Sequence, residues 1–123
     1  MIEIKITIDD AVKLLLERMS LELANRQKAG IILKGVRLEQ LTYQELIAVI
    51  EAAVFDTIIL LPVELLLTDT NLETIITKTI HALSKILGRE ELNLYSHKRT
   101  KKLIQHAIQS IKKAIENSDF QSN

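Results

Sequence analysis

The chain has 123 residues, 47% of them hydrophobic, enough for one compact core, and its 16 basic and 16 acidic residues give a formal net charge of zero. It contains no cysteine, which excludes disulfides, thiolate chemistry and cysteine-ligated zinc, and its three glycines are too scattered for a glycine-rich phosphate loop. The apolar content is aliphatic, 18 Ile and 20 Leu against two Phe, two Tyr and no Trp, so the chain can pack a core but offers little surface for stacking bases.

Taken in chain order, Ile2, Ile4, Ile6 and Ile8 alternate with polar residues, the period of a half-buried β-strand over residues 2–8. Its partner would be the segment 31–38, the segment 57–61, or the same strand of a second copy. Asp9 is placed to cap a first helix over about residues 10–29, with Val12, Leu15, Leu16, Met19 and Leu23 on its inner stripe and Gly30 as its stop. Thr42-Tyr43-Gln44-Glu45 has the form of a capping box. The helix it opens has Leu46, Ile47, Val49, Ile50, Ala53 and Val54, which leave little polar circumference and predict the most buried element.

The run Ala48–Thr68 approaches the length of a bilayer crossing. Glu51, Asp56 and Glu64 would each cost about 2.5–3.5 kcal/mol at mid-membrane, and Pro62 interrupts the run, so no membrane span is expected. Pro62 restarts the chain as the head of a short helix or the end of an edge strand. A second capping box, Thr70-Asn71-Leu72-Glu73, opens a third helix that turns Leu72, Ile75, Ile76, Ile80, Leu83 and Leu87 to the core and stops at Gly88. Ser96 caps the last helix, about residues 97–117. There Leu103, Ile104, Ala107, Ile108, Ile111, Ala114 and Ile115 fill an arc of about 140°.

These elements predict one domain over 1–123 with a frayed tail at 118–123. Its architecture is a mainly α bundle of about four helices with a short N-terminal β-strand. The alternative is a small α+β domain with strands near 2–8, 31–38 and 57–61.

Charge is segregated along the chain. From Leu38 to Thr77 there are seven acids and no Lys or Arg; from Lys78 to Ile115 there are nine basic residues against Glu90 and Glu91. Any buried Glu51 must therefore find its cation outside its own segment. On the last helix Arg99, Lys102, His106 and Lys113 fall within about 60° of one another, and Lys98 and Lys112 extend the positive surface. Lys98, Arg99, Lys102, His106 and Lys113 are thus the candidate nucleic-acid or anion-binding residues, to be weighed against a simple solvated helix face.

Arg99 and His106 also read as a catalytic pair, with His exchanging protons and Arg stabilising charge that develops on phosphorus. Their spacing resembles the Arg-(four to six residues)-His signature of HEPN-type ribonucleases, small helical domains that dimerise to assemble their sites. The resemblance covers two residues and the helix count, and Thr100 stands where those enzymes often carry an amide. It implies metal-independent RNA cleavage.

His81, between Ile80 and Ala82, reads as a packing residue, and His97 as the first residue of its helix. Neither belongs to a metal-ligand spacing, and no metal or other cofactor is expected. Glu51 and Asp56 read as ion-pairing or snorkelling groups rather than acid/base catalysts. The favoured function is a non-catalytic, self-associating subunit or adaptor that binds a protein partner. Nucleic-acid binding and the Arg/His ribonuclease are the alternatives. Charges interrupt every apolar run near the N-terminus, so a cytoplasmic location is expected.

Overall fold

The computed structural model describes residues 7–59 and 72–121, with side chains as far as residue 117. Its elements are α1 (Ile8–Lys28), α2 (Tyr43–Ile59), α3 (Leu72–Leu87) and α4 (His97–Gln121), with short 3₁₀ turns at Leu38–Gln40 and Glu90–Leu94. The chain is a helical bundle, and no strand occurs among the described residues.

Thr7 starts α1. Its hydroxyl accepts the Asp10 N–H at 3.1 Å, so Asp9 and Asp10 fall in the first turn, where their charge complements the helix dipole. The expected cap at Asp9 is thus displaced by two residues. Ile8, expected at the end of a strand over 2–8, is the first residue of the helix, and residues 2–6 lie outside the described part.

The alternative α+β arrangement is corrected at its other two strands. Residues 31–38 form turns that lead into the 3₁₀ turn. Gly30 and Gly35 sit at φ 78° and 87°, in the left-handed region, and bend the chain just before and in the middle of what would have been a strand. Of the expected strand at 57–61, residues 60 and 61 lie outside the described part, and Thr57, Ile58 and Ile59 belong to α2. Their β-branched side chains are accommodated because Ile58 is buried in the core and the Thr57 hydroxyl donates back to the Ala53 carbonyl at 2.8 Å.

The capping box at the head of α2 forms in both directions. Glu45 N–H donates to Thr42 Oγ1 at 3.1 Å, and Thr42 N–H donates to Glu45 Oε1 at 3.0 Å. The second expected box begins at Thr70 and Asn71, and those residues, like Pro62, lie outside the described part. Ser96 caps α4 by accepting the Arg99 N–H at 3.2 Å, and the helix runs on to Gln121, past its expected end near residue 117.

The main helix contacts follow the ring α1, α2, α4, α3 and back to α1. As its sequence predicts, α2 is the most deeply set, burying Leu46, Ile47, Val49, Ile50, Ala53, Val54 and Ile58. Facing residues fix the helix directions. The chain after α3 folds back along that helix into the start of α4, as the pairs Ser84/Asn93, His81/Tyr95 and Thr77/Thr100 show. Between α2 and α4 the pairs Glu51/Arg99 and Phe55/His106 advance together, so these two neighbours run parallel.

Candidate functional site

The most ordered polar constellation joins α2 to the start of α4. Glu51 receives two hydrogen bonds from Arg99, Nε to Oε2 and Nη2 to Oε1, both at 2.9 Å, and a third from the Tyr95 hydroxyl to Oε2 at 2.7 Å. This is the fork-on-carboxylate geometry that strengthens an ion pair. Arg99 Cζ also lies 5.7 Å from the centre of the Tyr95 ring, within cation–π range. Tyr95 is buried, and its carbonyl accepts from His81 Nε2 at 2.8 Å, which tethers α3 to the same point. A carbonyl only accepts, so Nε2 carries the proton and the lone pair of the neutral ring is on Nδ1.

The electrostatics follow from this packing. Burial pushes the Glu51 carboxyl up, but the hydrogen bonds from Arg99 and Tyr95 and the guanidinium charge outweigh it, and the group sits below its ordinary range. Burial and the adjacent carboxylate together push the Tyr95 phenol up. The hydrogen bonds to Glu51 hold Arg99 firmly protonated. The cation that the sequence required for Glu51 is therefore Arg99, and Asp56 is exposed.

The five residues singled out on α4 divide into two groups. Arg99 and His106 turn toward α2, the first onto Glu51 and the second against Phe55, with ring centroids 5.7 Å apart and a tilt of 48°. Along the helix axis they stand about 10 Å apart. Lys98, Lys102 and Lys113 face solvent, as do Lys101 and Lys112. None of these five lysines takes part in an ion pair among the described residues. His97 Nδ1 lies 3.8 Å from Glu73 Oε1, at the contact between α4 and the first turn of α3.

Sequence reasoning missed two further polar links. Thr77 and Thr100, both fully buried, bring their hydroxyls within 2.7 Å of each other. Arg89 reaches back from the turn before α4 and donates to the carbonyls of Glu39 and Leu41. Backbone carbonyls carry no residue-type signal, so no spacing rule announces the second contact. A threonine on the inner face of each helix was the only sign of the first.

No group of three or more potential metal ligands occurs among the described residues, and no helix there is long and apolar enough to cross a membrane. No family model, curated protein or solved structure matches this chain.

Proposed function

We propose that the chain is a non-catalytic interaction subunit whose α4 outer face docks on an acidic surface of a protein partner. The observation that carries this reading is the partition of charge on α4. Its arginine is committed to Glu51, while Lys98, Lys101, Lys102, Lys112 and Lys113 stand exposed without an acid partner among the described residues. Unpaired cations in a row steer association with a complementary surface and set its register more than its raw affinity.

Two features favour a protein over a nucleic acid. Gln105 and Gln109 fill the gap in the lysine row, and Tyr95, at the start of α4, is buried under Arg99 and offers no face for a base to stack on. The reading is also preferred to a ribonuclease because Arg99 already has a carboxylate in its fork. Self-association belongs to the same proposal and is supported by exposed apolar side chains at the far end of α4, Ala114 and Ile115 beside Ile59.

Labelled poly-glutamate, a short single-stranded RNA and a duplex DNA of equal length serve as probes, titrated at about 50 mM salt, where phosphate contacts are strongest. Binding to poly-glutamate that is lost in a Lys98→Glu/Lys102→Glu/Lys113→Glu variant of unchanged helicity supports the proposal. A salt-sensitive complex with RNA or DNA tighter than that with poly-glutamate overturns it in favour of nucleic acid. RNA cleavage abolished by His106→Ala overturns the non-catalytic reading, and a monomer mass by light scattering at micromolar concentration removes self-association.

A further inference from the structure

Both connections described in the structure, 29–42 between α1 and α2 and 88–96 between α3 and α4, lie at the same end of the bundle. Arg89 links them through its bonds to the Glu39 and Leu41 carbonyls. That end carries two of the three most exposed large aliphatic side chains among the described residues, Ile31 at 66% and Leu33 at 80%. A free loop would fold such side chains back onto the core. Here the backbone prevents it.

Gly30 and Gly35 bend the chain at either foot of the loop, and Ile32 plugs into the core between its two exposed neighbours. The Ile31 N–H donates to the Arg26 carbonyl at 2.9 Å, and Gln27 Nε2 donates to the carbonyls of Leu33 at 2.9 Å and Val36 at 3.0 Å. A glutamine spanning the loop in this way pins two of its carbonyls and fixes Leu33 outward. Lys28 and Lys34 flank the tip, exposed and without ion pairs among the described residues. Of the acids at this end, Glu39 pairs with Arg37 at 3.0 Å and Glu91 with Arg89 at 3.2 Å, Glu45 is held in the cap of α2 by the Thr42 N–H, and Glu90 has no ion pair among the described residues.

We propose that this end of the bundle docks on an anionic lipid surface, with Ile31 and Leu33 entering the boundary between headgroups and acyl chains while Lys28 and Lys34 meet anionic headgroups. A protruding pair of aliphatics beside unpaired cations matches that interface, which is apolar beneath a negative layer and needs no shape-complementary pocket. The inference rests on residues separate from the lysine row of α4, so either reading can fail alone.

Flotation of the whole chain with phosphatidylcholine vesicles, with and without phosphatidylserine, tests it. The expected result is flotation with the anionic vesicles only, weakening as salt rises. Leu33→Ser should lower the partition coefficient about tenfold or more, and Lys28→Gln and Lys34→Gln about fivefold each. Lys112→Gln/Lys113→Gln, at the far end of α4, should leave it unchanged. Leu33 is exposed, so its replacement leaves the helical signal and melting curve as controls for folding. No flotation, equal flotation with neutral vesicles, or an unaffected Leu33→Ser variant each overturns the proposal; loss of flotation in the Lys112/Lys113 variant overturns it in favour of the α4 face.

Discussion

Glu51 keeps 24% of its side chain exposed and Arg99 keeps 53%, so the pair between them is a half-wet interaction with good geometry rather than a sealed one. Its coupling in a double-mutant cycle should be about 1 kcal/mol, at the upper end for exposed pairs. The sign with pH follows from the lowered Glu51 carboxyl. Its contribution is present above the unfolded value of about 4.3 and fades as pH falls through the lower folded value. Urea unfolding of the wild type and Arg99→Ala should therefore show a stability gap at pH 7 that closes in acid; an equal gap at both pH values would assign Arg99 a packing role only. The two buried threonines behave differently. Thr77 also lies 2.8 Å from the Glu73 carbonyl, and Thr100 lies 3.3 Å from that of Ser96. Each hydroxyl has a single proton, so the bonds run either from Thr100 to Thr77 to the Glu73 carbonyl or from Thr77 to Thr100 to the Ser96 carbonyl. Each single Thr→Val change should cost about 0.5–1.5 kcal/mol, and the double replacement should recover most of that loss, because matched apolar groups leave no orphan. Denaturation midpoints of the four proteins check this. At this scale the sequence was only partly legible. It showed that Glu51 needed a distant cation, but Arg99 read as a binding group and, behind that, as a catalytic one, because a helical wheel cannot say which flank a neighbouring helix covers.

The helices were legible because aliphatic side chains recur on one face of each, and the Thr42/Glu45 box and the Ser96 cap announced two of the starts. The first connection was not legible. Its in-and-out alternation at Ile31, Ile32 and Leu33 is real and has the period of a strand, but two glycines with positive φ and the hydrogen bonds of Gln27 close it into a loop. Hydrophobic period reports which side chains are buried and says nothing of what the backbone bonds to. At the head of α1, Asp9 and Thr7 are both good caps, and the alternating isoleucines that suggested a strand hid the earlier one. Thr42→Ala should cost about 1 kcal/mol through loss of the cap. Gly35→Ala should cost about 1–2 kcal/mol through backbone strain alone, since no atom lies within 4 Å of the added Cβ. Thermal melts read both; a neutral Gly35→Ala would mean that the loop relaxes to another conformation.

Across the whole molecule, net zero charge is the sum of two unlike regions. Of the acids of α2 and α3, Glu45 is taken into a cap, Glu51 onto Arg99 and Glu73 toward His97, with Asp56 left exposed, whereas the lysines of α4 remain at the surface. Segregation along the chain was visible in the sequence, but its conversion into an inside and an outside required the tertiary fold. The parallel course of α2 and α4 also bears on the order of assembly. The pairs α1–α2 and α3–α4 are each joined by a short connection, so either can form while the other half is unstructured. The α2–α4 contact cannot, because Glu51 and Arg99 are 48 residues apart and the ends must first be brought together. That contact should be among the last to form, after the rate-limiting barrier. Arg99→Ala should then speed unfolding and leave the folding rate nearly unchanged in a chevron plot, whereas a slowed folding arm would place the parallel pair in the nucleus. The seam between α2 and α4 is accordingly where the native state should first come apart, with the two hairpins separating before either one melts.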